Sequence, residues 1–214
     1  MRFFNDLAQT DATKNRLPHW QQEGATYFVT WRLKDSIPRK LLDEWKIERE
    51  EWRARNPQPW SIETETEFHK RFSTRIDTVM DKGHGECVLR KKKCREVLSH
   101  CFDQFAEERF LMHSWVAMPN HVHALFTIAE DRQLETVVGA WKGNSAKSIN
   151  QLIGQTGSLW QKDYFDRIIR DWQHMFRVAK YIRRNPTKGK LKGTDYALYE
   201  ADWVKRMLGN AGLD

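Results

Sequence analysis

His121 and His123 are separated by a single valine in WVAMPNHVHALFTI (residues 115–128), the most apolar run of the chain. In a β-strand, alternate side chains point to the same face of the sheet. Both imidazoles would therefore lie close enough to bind one metal ion, while Val122 and Ala124 face the core. Histidine is a common metal ligand, but two ligands do not complete a site. The spacing predicts a metal site with a further ligand elsewhere, and the alternative is that both histidines only pack or form hydrogen bonds.

Two familiar metal architectures with closely spaced histidines do not suit the rest of the chain. A cupin has many more strands and fewer helices than the hydrophobic pattern predicts here. A metal-dependent TIM-barrel hydrolase needs roughly 250 residues of alternating strand and helix, whereas this chain has 214 residues. The histidines need a different scaffold.

The elements that would position the histidines can be placed from hydrophobic periodicity and turn residues. Strands are predicted over residues 25–33, which are rich in β-branched and aromatic types, and over 109–118 and 121–128, which Pro119-Asn120 joins in a tight turn. Apolar spacing and breaker residues predict helices over 38–57, 66–83, 91–108, 133–154 and 172–185, the last of them ended by Pro186. Residues 158–171 are ambiguous between a loop and a short strand.

This order of elements predicts an α+β fold in which helices pack on an antiparallel sheet. The helices within about residues 35–80 would form an extension inserted after the first strand. We expect residues 1–24 to be an irregular arm and residues 25–192 to form a single domain. Residues 193–214 would be a tail or a short helix.

The amino-acid composition indicates which class of binding partner and which cellular compartment to expect. The net charge is +7, so the surface should attract polyanions, of which nucleic acid is the commonest. Cys87, Cys94 and Cys101 lie seven residues apart without a CxxC pair, which disfavours structural zinc and is typical of a reducing cytosol. Because the chain has no signal-peptide pattern and no run of 18 apolar residues, we expect a cytoplasmic protein with no membrane partner.

The segment MPNHVHALF (residues 118–126) is similar to the HUH motif of single-tyrosine transposases, in which a bulky apolar residue separates two histidines. Within that group the chain most resembles the REP-associated tyrosine transposases, which are IS200-like. The resemblance continues, in order along the chain, in DKGHGECVLR before this motif and in LWQKDYFDRIIRD and YIRRNP after it. It covers roughly residues 25–192 and implies a ferredoxin-like core. The helices near residues 35–80 look like an extension that compact members lack.

The resemblance also implies roles for particular residues. Tyr181, in KYIRRNP, matches the family's nucleophile, and Asn185 matches its third metal ligand, so that His121, His123 and Asn185 would hold Mg²⁺ or Mn²⁺. Residues i and i+4 share a helix face, which agrees with this pairing. Many relatives have glutamine in place of Asn185. Tyr164, in KDYFDR, is the alternative nucleophile, but no ligand-type residue follows it at i+4.

The activity implied is cleavage and rejoining of single-stranded hairpin DNA, such as repeated extragenic palindromes, through a covalent 5′-phosphotyrosine. No nucleotide cofactor is expected, since the chain lacks the pattern GxxxxGK[ST]. The alternatives are a domesticated hairpin-binding protein and a metal-dependent nuclease that uses no covalent tyrosine. A monomer and a homodimer both suit the sequence. The residues expected to contact DNA phosphates are Lys142, Lys147, Arg167, Arg170, Arg183, Arg184, Lys188 and Lys190.

Overall fold

A five-stranded antiparallel sheet forms the centre of the protein. The computed structural model describes residues 2–5, 11–13, 19–57 and 60–209. The strands of the central sheet are β3 (Thr26–Arg32), β4 (Phe110–Ala117), β5 (His121–Ile128), β6 (Phe165–Ile168) and β7 (Ala197–Glu200), in the spatial order β6-β3-β5-β4-β7. A separate two-stranded ribbon precedes them, formed by β1 (Asp11–Thr13) and β2 (His19–Gln21).

Helices cover both faces of the sheet. They are α1 (Arg39–Arg55), α2 (Ile62–Phe68), α3 (Thr74–Met80), α4 (Lys92–Asp103), α5 (Leu134–Ile153), α6 (Trp172–Lys188) and α7 (Asp202–Leu208). Helix α4 connects β3 and β4 by way of the extension, α5 connects β5 and β6, and both pack on the same face. With the strand order β6-β3-β5-β4, this is the ferredoxin-like arrangement, which confirms the predicted α+β class.

The alternation of β5 separates the two layers of the core. Val122, Ala124 and Phe126 are fully buried in the layer beneath α4 and α5. Leu125 belongs to the opposite layer, which α6 and α7 cover. His121 and His123 have the same parity as Leu125, so they face α6. The sheet therefore presents the histidines to the helix that carries Tyr181.

The helical extension after β3 is confirmed and has an apolar interior of its own. Helix α1 packs against a second helical segment in which a π-helical turn (His69–Ser73) links α2 to α3. Trp52 is buried between Phe68 and Phe72, with ring centroids 5.3 and 6.1 Å away. A second cluster, around Val79 and Met80, joins the end of α3 to the first turn of α1. The extension is thus a helical hairpin with a packed core.

Two helices end at places that differ from the prediction. The helix predicted over 91–108 ends at Asp103, because the chain turns into β4 through Glu107, whose φ is +70°. The helix predicted to stop before Pro186 runs on to Lys188. Proline in a last turn removes only one helical hydrogen bond, and Pro186 is buried with the rest of that helix face. The Gly189 N–H then closes the helix by donating to the Asn185 carbonyl at 2.9 Å.

The ambiguous and terminal segments also have defined positions. Residues 158–171 contain the short strand β6, which pairs with β3. The segment after residue 192, expected as a tail or a short helix, contributes edge strand β7 beside β4 and then α7. Within the described residues, no helix is both long and apolar enough to cross a membrane.

Candidate active site

His121 and His123 lie side by side on the face of the sheet beneath α6. Their ring centroids are 4.8 Å apart, and each residue is only 1% exposed. The His123 ring stacks on Phe28 of the neighbouring strand at 5.5 Å. The regular alternation of β5 is sufficient to bring both imidazoles to this position.

A hydrogen bond to Nδ1 fixes the orientation of each histidine. Asn120 donates its side-chain amide to the carbonyl oxygens of Met80 and His84, both at 3.1 Å, so its Oδ1 is left to accept. The Oδ1 atom lies 2.8 Å from His121 Nδ1, which must therefore carry the proton. His123 Nδ1 lies 2.7 Å from the Thr30 hydroxyl. The Nε2 lone pair of His121 is consequently available, as in histidines that bind metals.

Burial keeps both imidazoles neutral. It lowers the pKa of His121 to about 3, with a smaller contribution from the nearby Lys188 ammonium. The pKa of His123 falls well below its usual value, again mainly through burial and then through His121 and Lys188. Neutral imidazole is the form that binds a metal. The pair is therefore in its metal-binding state at any pH near neutrality.

Tyr181 projects from α6 toward the histidines. Its ring packs edge-on against Phe28 and His123, at 5.8 and 5.2 Å. Its hydroxyl lies 3.5 Å from His123 Nε2 and donates a hydrogen bond to Asp77 Oδ2 at 3.2 Å. Burial, and then the Asp77 charge, raise the Tyr181 pKa far above its usual value. A hydroxyl capable of nucleophilic attack thus adjoins the paired imidazoles.

Asn185 lies one turn beyond Tyr181 on the buried face of α6. Its amide nitrogen donates to the Tyr181 carbonyl at 3.4 Å, whereas its Oδ1 has no hydrogen-bond partner in the described parts of the chain. A buried carbonyl oxygen left without a partner is costly and needs an explanation. Because amide oxygen is a ligand for hard divalent cations, the donor set of two imidazoles and this oxygen fits Mg²⁺ or Mn²⁺.

Tyr164, the alternative nucleophile, belongs to the other layer of the core. It is buried among residues of α5 and the strands that face that helix. Burial raises its pKa, and the Lys142 ammonium lies 5.7 Å from the centre of its ring. The sheet therefore separates Tyr164 from His121 and His123. This placement favours Tyr181.

The eight basic residues predicted to contact DNA have different environments. Six side chains in this set are exposed: Lys147, Arg167, Arg170, Arg184, Lys188 and Lys190. Lys188 is about half exposed and its ammonium lies 2.9 Å from Asp81 Oδ2, near the histidines. Lys142 donates to the Lys162 carbonyl at 2.6 Å.

Arg183 has contacts that hold the fold together. Its guanidinium forms two hydrogen bonds of 2.9 Å to the Glu200 carboxylate, and the two side chains are 8% and 10% exposed. It also donates to the Gly209 carbonyl at 2.8 Å. These contacts tie α6 to β7 and to the end of α7, so the guanidinium is already engaged inside the protein.

Arg183→Met is expected to lower the free energy of unfolding by about 3–5 kcal/mol, because Glu200 would remain buried without its partner. Urea denaturation measures this loss. The exposed neighbour provides the control, since Arg184→Met should change stability by less than about 0.5 kcal/mol. If the urea midpoint of Arg183→Met were unchanged and its DNA binding were weaker, Arg183 would have to be assigned to the DNA-contacting residues after all.

For three residues at the candidate site, the sequence predicted no functional role. Asp77 is on a helix whose charged positions resemble a solvated face, Asn120 is part of a turn signal, and Thr30 is one of several strand threonines. Their contacts with Tyr181, His121 and His123 depend on the tertiary fold. The strand register is the one signal that could have identified Thr30, because Thr30 pairs with His123 on the adjacent strand.

Residues 77–185 match the sequence profile of the family "Transposase IS200 like". The chain belongs to this family. The matched region begins at Asp77, ends at Asn185 and includes β4, β5 and most of α6. Most of the helical extension precedes it.

Individual proteins are also similar to parts of this chain. An uncharacterized Haemophilus influenzae protein is 28% identical over 117 residues, which are 44% of this chain and 62% of that relative, so the match spans less than two thirds of the relative. A REP-associated tyrosine transposase bound to a REP hairpin is 15% identical, with a TM-score of 0.44 over 79% of this chain and 71% of that one. A Deinococcus radiodurans structure, also assigned as a transposase, is 13% identical, with a TM-score of 0.34 over 86% and 98% of the two chains.

Proposed function

We propose that this IS200-like transposase is a metal-dependent single-stranded DNA transesterase with Tyr181 as its nucleophile. The observation that carries the proposal is the position of the Tyr181 hydroxyl, 3.5 Å from His123 Nε2 and beside His121. A tyrosine that only filled the core would not need a pair of neutral, oriented histidines at its hydroxyl. Family membership supplies the class of substrate, which is DNA.

The reaction would exchange one phosphodiester for another. The Tyr181 oxygen attacks the scissile phosphorus, an oxygen–phosphorus bond forms, and the bond from phosphorus to the 3′ oxygen breaks. The tyrosine loses a proton and the 3′ oxygen gains one. The products are a 5′-phosphotyrosine and a free 3′-hydroxyl, and the reverse attack rejoins the strand. The bond energy is conserved in the covalent intermediate, so no ATP is needed.

His121, His123 and Asn185 would hold the divalent cation. When bound, Mg²⁺ or Mn²⁺ would polarise the phosphate and neutralise the charge that develops during attack. The hydrogen bonds that the imidazoles form with Asn120 Oδ1 and the Thr30 hydroxyl keep them oriented for this role. Two nitrogen ligands beside an amide oxygen suit Mn²⁺ at least as well as Mg²⁺.

Hairpin DNA with an unpaired flank is the substrate that we propose, following the resemblance to REP-associated transposases. The basic side chains near both ends of α6, among them Arg170, Arg184 and Lys190, are exposed and would neutralise its phosphates. Binding should therefore weaken steeply as salt rises. Whether the protein acts as a monomer or a homodimer stays open in this proposal.

A labelling experiment tests the function. A single-stranded REP-type hairpin, labelled at its 3′ end, is incubated with the protein and Mn²⁺ or with EDTA, and the products are separated on denaturing gels. We expect labelled protein with Mn²⁺ and none with EDTA. Cleaved DNA without labelled protein would replace the proposal with a metal-dependent nuclease. A shift on native gels without any cleavage would replace it with a hairpin-binding protein.

A further inference from the structure

Asp77 brings a carboxylate from the helical extension to the candidate nucleophile. It lies on α3, 104 residues before Tyr181, and its Oδ2 accepts the tyrosine hydroxyl hydrogen at 3.2 Å. The residue is only partly exposed. Its Oδ2 is closer to that hydroxyl than His123 Nε2, which lies 3.5 Å away. The contact thus joins the extension to the catalytic layer at its reactive atom.

The surroundings of Asp77 hold it firmly in place. One turn later, Asp81 forms an ion pair of 2.9 Å with Lys188, in the last turn of the helix that carries Tyr181. The carbonyl oxygens of Met80 and His84 accept hydrogen bonds from the side-chain amide of Asn120. Asn120 in turn orients His121. The end of α3 is therefore attached both to α6 and to the turn before β5. Asp77 lies between these two attachments.

A buried carboxylate in this position lowers the stability of the folded protein. Burial raises the pKa of Asp77 to about 6, and the positive charges of Lys188 and Arg167 compensate only in part. An apolar or amide side chain would pack there at a lower cost. A functional role for the Asp77 carboxylate would explain why a charged group is buried at this position despite its cost in stability.

The hydrogen bond supplies such a role, because it fixes the direction of the tyrosine hydroxyl. A phenolic hydroxyl can rotate, and its hydrogen position determines where its lone pairs point. When the hydrogen is held by Asp77, the oxygen lone pairs are directed away from that carboxylate. Correct orientation of a reacting atom contributes substantially to the rate of a displacement reaction.

We propose that Asp77 is a positioning residue for Tyr181, so that the helical extension forms part of the active site. This inference rests on the proposed function, in which Tyr181 is the nucleophile. The extension then has a defined purpose: it orients the nucleophile through Asp77 and the first metal ligand through Asn120.

Asp77→Ala and Asp77→Asn test this role, with Glu48→Ala as the matched control. Glu48 is also a carboxylate of the extension, and its side chain is bound by Arg71 and Arg75, at 3.0 and 2.6 Å, rather than by Tyr181. At saturating hairpin DNA and Mn²⁺, we expect Asp77→Ala to slow formation of the covalent product by about 10- to 100-fold. The dissociation constant for DNA should stay within about twofold. Asp77→Asn keeps an acceptor oxygen and should recover most of the rate.

A second readout does not depend on activity. In metal-free protein with ¹³Cζ-labelled tyrosine, the Tyr181 signal, assigned by its loss in Tyr181→Phe, should shift in Asp77→Ala. It should shift much less in Asp77→Asn and remain unchanged in Glu48→Ala. An unchanged signal in Asp77→Ala would overturn the contact itself.

The kinetic outcomes separate this inference from the proposed function. If wild-type protein forms the adduct and Asp77→Ala forms it equally fast, the positioning role is overturned while the function stands. The positioning role is also overturned if Glu48→Ala slows the reaction as much, or if Asp77→Ala acts only by weakening DNA binding. If wild-type protein forms no adduct, the proposed function fails, and the positioning role fails with it.

Discussion

Tyr181→Phe is expected to abolish the protein-linked DNA product, whereas Tyr164→Phe should leave it in place. The Tyr181 hydroxyl adjoins the two histidines that we assign to the metal, and phenylalanine has no atom that can attack phosphorus. Loss of a covalent nucleophile lowers the rate by on the order of 10³-fold or more. The labelled hairpin assay with Mn²⁺ measures the loss directly, because the adduct either appears on the gel or does not.

The comparison is informative because both substitutions keep the aromatic packing. Phenylalanine at position 181 retains the edge-on contacts with Phe28 and His123. At position 164 it remains in the core layer beneath α5. Both variants should bind the hairpin with unchanged affinity, which a native gel shift verifies. If Tyr164→Phe removed the adduct while Tyr181→Phe kept it, our assignment of the nucleophile would be wrong.

The local pattern of the sequence was sufficient to predict which side chains of the candidate site share a face, whereas the roles of Tyr181 and Asn185 came from the family resemblance and stay predictions. Alternation along β5 places His121 and His123 on one face whatever the rest of the fold, and Pro119-Asn120 gives a hairpin between two apolar runs. Helical spacing places Tyr181 and Asn185 together on α6 in the same way. These features depend on neighbours within a few residues, which is the range that a sequence pattern reports.

The supporting residues could not be predicted, since each depends on long-range packing. Asp77 reaches Tyr181 only because the extension folds back over α6, and Asn120 orients His121 only because it meets the end of α3. Arg183 is one arginine among many in the sequence, and its burial against Glu200 depends on β7 joining the sheet. The helix end predicted at Pro186 was wrong because the sequence does not reveal a buried last turn.

Acid is expected to destabilise the metal-free protein steeply between pH 6.5 and about 4. Burial lowers the pKa of His113 and of His121 to about 3, and that of His123 well below its usual value. The unfolded chain binds protons at these histidines near pH 6.5, whereas the folded protein does not. Their contribution is therefore fully present above pH 6.5 and is lost as the pH falls. At pH 5, His113 and His121 would each have lost roughly 2 kcal/mol of their contribution to stability, or about 4 kcal/mol together, and His123 would add to this loss.

Asp77 has the opposite effect on the pH dependence of stability, but its effect is smaller than that of the histidines. Its pKa is raised to about 6 in the folded protein, so its protonation between pH 7 and 5 returns roughly 1 kcal/mol. The net loss from His113, His121 and Asp77 is therefore about 3 kcal/mol, to which His123 adds, and this is a large fraction of the whole stability of many domains. Urea unfolding in EDTA at pH 7.5, 6 and 5 measures this slope. His113→Gln and His123→Gln should each flatten it, whereas Asp77→Asn should steepen it. A stability that stayed constant from pH 7 to 5 would show that the histidines are protonated inside the fold, and such imidazoles could not bind a metal.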